Sequence, residues 1–256
     1  MPAPPEAVRM KKLNEKVAIV TGASRGIGAG IALAFAREGA RVTVTARTTA
    51  DLETVARGIR EVGSQALTVT ADLALESDIQ RIADETQKRF GHIDILVNNA
   101  GIIHPAINLV DFDPGLWRQV LDVNLTGAAL LAKAVLPGMM ERRSGRIINI
   151  SSVGGRKGGK GRSAYRVTKA GLISLTESLA AELKPFGIDV NCICPGGVDT
   201  PGYRGAFPEQ LGRAGGTTLM AADEIAQVAL FLATDASSAI TGAIIDAFGN
   251  SNPLFK

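Results

Sequence analysis

The sequence has few of the residues that usually mark a special chemistry. Only two histidines and two cysteines occur in 256 residues. Protein metal centres draw on His, Cys and acidic side chains grouped at fixed spacings. His92 and His104 lie far apart, beside no such group, so no metal is expected. Cys192 and Cys194 sit one residue apart in an apolar run. A bridge between such close neighbours would strain disulfide geometry. Both are expected as buried thiols, and neither points to an oxidising compartment. Aromatic residues make up 4% of the chain, which leaves little surface for stacking bases. Charge is nearly balanced: 28 Lys and Arg against 25 Asp and Glu give a net +3. With no long basic stretch, nucleic acid is not an expected partner. No stretch reads as apolar and long enough to cross a bilayer, so no membrane partner is expected. Met1 to Lys12 contains three prolines and no long apolar stretch, and it reads as a loose tail rather than a secretory signal. Together these absences make the cytoplasm the expected location.

The remainder has the composition of a full globular core, 46% hydrophobic and 21% charged. The length suits one α/β domain over 13–256, after a tail over 1–12. Short Val- and Ile-rich runs at Val17–Val20, Val42–Thr45, Leu67–Thr70, Ile93–Val97, Ile147–Ile150, Asp189–Cys194 and Ile244–Asp246 read as strands. Longer patterns at Ser24–Glu38, Asp51–Val62, Glu76–Phe90, Pro114–Met140, Ser163–Phe186 and Ala222–Ala233 read as helices. This alternation predicts a doubly wound, parallel sheet of about seven strands with helices on both faces. A stretch rich in Gly and Pro, 201–218, is long for a compact domain and is expected to act as a substrate lid. Within it Tyr203, Phe207 and Leu211 recur at helical spacing and offer an apolar inner face.

The first strand runs into Thr21-Gly22-Ala23-Ser24-Arg25-Gly26-Ile27-Gly28 and then directly into a helix. A strand–glycine turn–helix unit gives a tight turn, and the helix N-terminus offers free N–H groups to a pyrophosphate. Gly22, Ser24, Arg25, Gly26, Ile27 and Gly28 are therefore candidate dinucleotide ligands in a Rossmann-type fold. The second strand ends in Ala46-Arg47, with no acid before Asp51. An acid there would take a ribose 2′-hydroxyl, whereas an arginine suits a 2′-phosphate. Arg47, with Arg25 opposite, points to NADP(H); as a bland alternative, both are ordinary surface arginines. Asp72 reads either as a contact to an adenine amino group or as the cap of a local turn. The pair Asn98-Asn99, followed by Ala100-Gly101, reads equally as a ligand-side loop or a structural turn.

Tyr165 and Lys169 lie four apart on one helical face, downstream of Ser151-Ser152. A free phenol near pH ~10 is a poor proton shuttle, and a nearby ammonium is expected to lower its pKa. The other basic groups divide into two sets. Arg142, Arg143 and Arg146 read as a solvated helix end. Arg156, Lys157, Lys160 and Arg162 read either as a rim attracting an acidic substrate or as a solvated loop made flexible by Gly155, Gly158, Gly159 and Gly161. Trp117 reads as helix packing.

Taken together, the segments Thr21–Gly28 and Asn98–Gly101, Asn124, Ser152, Tyr165–Lys169, Pro195-Gly196 and Thr200 resemble the short-chain dehydrogenase/reductase family. The resemblance extends over roughly Leu13–Gly249 and leans toward 3-oxoacyl-carrier-protein reductase-like members. It implies hydride transfer between nicotinamide and a ketone or secondary alcohol, with Tyr165 as acid/base. It also implies that Ser152 polarises the carbonyl, that Lys169 binds the nicotinamide ribose, and that Asn124 holds a relay water. Leu73, Pro195, Gly196, Val198 and Thr200 are implied to complete the cofactor site, and a homotetramer is the implied assembly. Two alternatives remain at this point: an NAD-linked alcohol or sugar dehydrogenase, and a carrier-protein reductase. For the second, Arg143 matches one docking arginine, but Phe186 stands where the other belongs. A non-catalytic nucleotide sensor would have no use for the proton-transfer set.

Overall fold

The computed structural model describes residues 11–208, 219–249 and 254. The seven strands are β1 (Val17–Thr21), β2 (Arg41–Ala46), β3 (Ala66–Thr70), β4 (Ile95–Asn98), β5 (Gly145–Ile150), β6 (Ile188–Pro195) and β7 (Ile244–Ala247). All pair in parallel, in the order β3-β2-β1-β4-β5-β6-β7. Every residue of β1 and β4 is buried, as expected of central strands covered on both faces. The chain crosses from β3 over to β4, so a crevice opens where β1 and β4 diverge at their C-terminal ends. In open α/β sheets such a switch point is where ligands bind.

The helices are α1 (Gly26–Arg37), α2 (Thr49–Glu61), α3 (Glu76–Phe90), α4 (Pro114–Leu121), α5 (Gly127–Arg142), α6 (Ser163–Leu183), α7 (Pro201–Ala206) and α8 (Ala222–Ala233). In α2 the buried Leu52, Val55, Ala56 and Ile59 make one stripe at the helical period. One core layer packs α1, α2 and α8 against one face of the sheet, and a second packs α3 and α5 against the other. Leu13, ahead of the first strand, is buried in the first layer.

Two helical expectations change. The first helix begins at Gly26 rather than Ser24, because Gly22 and Gly26 both adopt positive φ and the intervening residues form a turn. The pattern at 114–140 becomes α4 and α5 joined by a π-helical turn at Asp122–Thr126. The whole segment Pro114–Arg142 is long and apolar enough to pass a length-and-composition test for a membrane span, contrary to the sequence reading. Here its apolar side is used within the fold: Leu131, Ala132, Val135 and Met139 pack into the second core layer.

Spacing within the glycine turn is dictated by contact. A Cβ on Gly28 would lie 2.4 Å from the Gly22 carbonyl oxygen and 2.5 Å from Asn99 Nδ2. A Cβ on Gly30, two residues along the same helix, would meet Ala222 at an ordinary 3.5 Å. Gly28→Ala should therefore destabilise the fold by about 1–3 kcal/mol, as overpacking does. Gly30→Ala should be neutral, or stabilising by up to about 1 kcal/mol through helix propensity. Urea unfolding of the two variants checks this, and equal midpoints would refute it.

Candidate active site

The glycine turn is held from the neighbouring strand. Thr21 Oγ1 accepts from the Asn99 and Ala100 amides at 3.0 Å each, and Asn99 Nδ2 donates to the Thr21 and Gly22 carbonyls at 2.8 and 3.2 Å. A Cβ on Gly22 would come within 2.8 Å of Ala100 Cα. Packing thus accounts for Gly22 and Gly28, while Gly26 supplies positive φ beside Thr200, whose Cγ2 would lie 3.0 Å from an added Cβ. The N-terminus of α1 is open: Arg25 at its cap makes no side-chain bond there, and the first turn carries no acid. Free N–H groups, a helix dipole and the exposed Arg25 and Arg47 fit a dinucleotide carrying phosphate.

Other expected cofactor residues divide by what their side chains do. Asp72 Oδ1 accepts from the Ala74 amide at 3.0 Å, so it caps the local turn. Leu73 and Val198 are buried, and Gly127 lies close against the Leu73 carbonyl. Pro195 and Gly196 end β6, with the Gly196 amide bonded to Ala247 O at 2.9 Å. Thr200 Oγ1 caps α7 through the Tyr203 amide at 3.1 Å. Ala100 and Gly101 border the crevice, and a Cβ on Gly101 would lie 3.5 Å from both Asn124 Oδ1 and Lys169 Nζ. Asn98 is a correction. Its side chain turns inward, donating to Asn149 Oδ1 at 2.9 Å and to Ala128 O at 3.3 Å.

Ser152, Tyr165, Lys169 and Asn124 do converge. The Ser152 hydroxyl lies beside the Tyr165 phenol and favours its charged form; both border Gly154, where an added Cβ would stand 3.2 Å from Tyr165 Cε1 and 3.4 Å from Ser152 Oγ. Lys169 Nζ is 5.7 Å from the Tyr165 ring centroid and donates to Ile150 O at 2.7 Å. Asn124 is fully buried in the π-helical turn. Its Oδ1 accepts from the Ile102 amide at 2.7 Å, and its Nδ2 donates to Ile102 O at 3.1 Å and Thr168 Oγ1 at 3.2 Å. Its carboxamide is thus committed to protein, and π-turns of this kind recur at functional sites.

The electrostatics differ from the sequence expectation. Burial pushes the Tyr165 phenol above its ordinary value of 10. The Ser152 hydroxyl, then Arg166 and Arg162, pull in the opposite direction without overcoming it. Burial also draws Lys169 down to about 8. Desolvation disfavours both charged forms, and here it outweighs the attraction that the Tyr–Lys spacing implied.

Nor is the basic stretch a loose rim. Arg156 pairs with Asp246 at 3.1 Å. Arg166 Nη1 donates to the Lys157 and Gly158 carbonyls and clamps the loop to α6. Arg162 is buried, donates to Ala206 O at 2.6 Å and lies 4.6 Å from the Phe207 ring centroid. Phe207 in turn lies 4.9 Å from Tyr203, so two of the three residues expected to share an apolar face are in contact, on and just after α7. Leu211, the third member, falls outside the described residues. Arg142, Arg143 and Arg146 likewise have fixed partners: Ile93 O, Pro185 O, and Asp189 with Asp235. Trp117 packs edge-on to Phe112, as expected of helix packing. His92 pairs with Asp94, and no cluster fit for a metal occurs among the described residues.

Sequence reasoning missed His104 and Ser151. His104 is 1% exposed, with its ring against the N-terminus of α6. Ser151 Oγ donates to Lys169 O at 2.7 Å and ties β5 to α6. Neither residue carries a local signal, since each acts on a segment distant in sequence.

The chain has two tyrosines, so the phenol can be isolated by difference. Subtracting the ultraviolet titration of Tyr165→Phe from that of the cofactor-free wild type should leave one phenol ionising above pH 10. A midpoint below 10 would show that the cations outweigh burial after all.

Comparison with known proteins agrees with this geometry. Residues 16–210 match the family model for short chain dehydrogenases. The chain is 38% identical over 240 residues to cis-4-hydroxycyclohexanecarboxylate dehydrogenase of Sinomonas cyclohexanicum, covering 90% of this chain and 94% of that one. It is 40% identical over 235 residues to the 3-oxoacyl-[acyl-carrier-protein] reductase FabG of Vibrio cholerae, covering 90% and 94%. Among solved structures, NAD+-bound xylitol dehydrogenase superposes with a TM-score of 0.85 at 32% identity, covering 92% of this chain and 98% of that one. Levodione reductase gives 0.85 at 30%, covering 91% and 96%. A doubly wound parallel sheet with an open helix end at its switch point, the Ser–Tyr–Lys–Asn convergence and a family match over residues 16–210 place this chain in the short-chain dehydrogenase/reductase family of oxidoreductases.

Proposed function

We propose that this chain is an NADP(H)-dependent carbonyl reductase acting on a ketone or secondary alcohol of moderate size. The observation that carries the reaction is the convergence of the Ser152 hydroxyl, the Tyr165 phenol and Lys169, whose Nζ lies 5.7 Å from the Tyr165 ring centroid. The nicotinamide, when bound, supplies the hydride for reduction or accepts it for oxidation. The protein's own groups handle the oxygen and its proton. Ser152 donates a hydrogen bond to the carbonyl oxygen and polarises it. Tyr165 gives that oxygen a proton as negative charge develops there. A phenol held above 10 is fully protonated at neutral pH, which suits the donor role. Lys169 holds the ribose hydroxyls and faces the phenolate left behind. Asn124 fixes the loop over this group through Ile102. Oxidation of an alcohol reverses each transfer.

The proposed phosphate preference rests on Arg25 and Arg47, both exposed, with Ala46 where an acid would stand. Guanidinium grips a 2′-phosphate in a bidentate way, whereas a carboxylate would repel it. Apolar character in the substrate is supported by the Tyr203–Phe207 pair on the lid, pinned by Arg162. One relative is named for a cyclic hydroxy acid. A reductase acting on carrier-bound 3-oxoacyl chains is the second reading, favoured by the FabG relative. Against it, Arg143 is turned to Pro185 O at 2.6 Å, and Phe186 packs against the second core layer where another basic group would be needed. We further propose a homotetrameric assembly in the cytoplasm; the half-exposed apolar Val167 on α6 supports a covered face, and sedimentation equilibrium tests the assembly.

Tyr165→Phe keeps the ring and removes the transferable proton. Turnover of NADPH with a panel of ketones should fall at least ~10²–10⁴-fold, the usual loss for a general acid, while cofactor still binds. Near wild-type reduction by this variant would remove Tyr165 from the mechanism.

The wild type should show a higher kcat/KM with NADPH than with NADH. Ala46→Asp combined with Arg47→Ala should invert the preference. Equal or NADH-favouring values in the wild type would support the NAD-linked dehydrogenase instead. On the substrate side, a large kcat/KM advantage for carrier-linked over free 3-oxoesters, lost in Arg143→Glu, would establish the carrier reading.

A further inference from the structure

The N-terminus of α6 sets the position of Tyr165, and it lacks the usual local cap. Its cap residue Arg162 makes no side-chain bond to the first turn. Orphan N–H groups at a helix start need acceptors. The Tyr165 amide finds one in His104 Nε2 at 3.3 Å, a residue 61 positions earlier in the chain. The other ring nitrogen, Nδ1, lies 2.6 Å from Pro105 O, which can only accept. The imidazole is therefore neutral, with its proton on Nδ1 and its lone pair on Nε2 directed at the catalytic tyrosine.

The ring is fixed from several sides. His104 is 1% exposed, and Phe112 packs edge-on to it with centroids 4.8 Å apart; Trp117 backs Phe112 at 5.7 Å. The flanking backbone docks as well: the Ile107 amide donates to Gly161 O at 2.9 Å, and Gly161, at positive φ, leaves room for Ala106. A seam thus joins residues 104–107 to residues 161–165. Burial lowers the His104 pKa, outweighing the upward pull of the Pro105 carbonyl, and the nearby Arg162 adds to the lowering, so the ring stays in the form the seam requires.

We propose that His104 is a positioning residue for the acid/base step, a neutral Nδ1–H imidazole that caps α6 from the loop after β4 and holds the Tyr165 backbone in register with Ser152. The proposal rests on the reading of Tyr165 as the acid/base group. It does not place His104 in contact with substrate. A displacement of about 1 Å at a reacting group can cost on the order of 10²-fold in rate, so a cap on the backbone of that group controls turnover without touching the ligand.

The test uses the full chain and three variants. His104→Leu fills the space and removes the acceptor, His104→Gln restores an acceptor near Nε2, and Tyr165→Phe is the reference for lost acid catalysis. With the ketone that the wild type reduces fastest, His104→Leu should lower kcat at least about tenfold and leave the dissociation constant for NADPH unchanged within about threefold. His104→Gln should recover most of the loss. Nitrogen-15 spectra of the wild-type imidazole should show the proton on Nδ1, and amide exchange at Tyr165 should speed up in His104→Leu but not in His104→Gln. Unchanged kcat in His104→Leu, or a proton on Nε2, would overturn the proposal. If His104→Leu does not fold, the wild-type tautomer together with the rate and exchange of His104→Gln decides. If Tyr165→Phe retained activity, the acid/base reading would fall by itself, and the tautomer and exchange data would still judge the His104 cap.

Discussion

Much of this site depends on one buried ammonium. Lys169 is 3% exposed, and its ammonium donates to a backbone carbonyl, Ile150 O, at the last residue of β5. A charge removed from water is costly unless it is bonded, so α6 is tied to the end of β5 at that point. Neighbouring contacts continue the line. Asn149 reaches Thr176, Ser151 reaches the Lys169 carbonyl, and Ser152 reaches Tyr165. Residues 149–152, at and just past the end of β5, thus meet α6 from Thr176 back to Tyr165. Gly155 closes the seam, because a Cβ there would stand 2.7 Å from the Lys169 backbone. The Ser–Tyr distance is therefore a consequence of how a strand end and a helix are fastened together.

That origin explains what could and could not be read from the chain. The strands were legible because central strands of a parallel sheet are buried on both faces and appear as unbroken apolar runs, as Val17–Thr21 does. The glycine turn and the Tyr–Lys pair were legible because each is local, a turn of eight residues and one turn of a helix. The destinations of single side chains were not. Asn98 and Asn99 are adjacent and chemically identical, yet one faces Asn149 inside and the other holds the glycine turn. Alternation along a strand separates them, and only the neighbouring elements decide which side is which. The three arginines around residue 143 read as a solvated helix end, but each reaches an acceptor supplied by another segment. The π-helical turn at Asp122–Thr126 has no periodic signature, because one extra residue in a turn hardly disturbs an apolar pattern that runs on either side of it.

The electrostatic expectation failed for a related reason. A lysine one turn from a tyrosine suggests attraction, and the spacing says nothing about how much water remains. Burial raises the phenol and lowers the ammonium together, so each moves toward its neutral form. The cations that oppose this at Tyr165 are Arg166 and Arg162, which flank it on α6. Both are also structural: one clamps the 157–158 backbone and the other holds the Phe207 end of the lid. The same two guanidinium groups thus fasten neighbouring backbone and bear on the charge state of the phenol.

The loop after β4 shows how the two halves of the site are kept in step. It starts at Asn99, which holds the glycine turn, and passes Ile102, whose amide and carbonyl are both engaged by Asn124. It ends against α6 at His104 and Ile107. Asn124 also reaches Thr168, whose hydroxyl donates to the Tyr165 carbonyl at 2.7 Å. Tyr165 is thus held at its amide by His104 and at its carbonyl by Thr168, and both holds lead back to the loop that borders the glycine turn. With both peptide groups of the residue restrained, little freedom is left for the phenol to drift from Ser152. Pre-organisation of this kind lowers a barrier without any new contact to the reacting atoms. On the proposed mechanism Asn124, with its carboxamide fully occupied by protein, acts by what it prevents from moving.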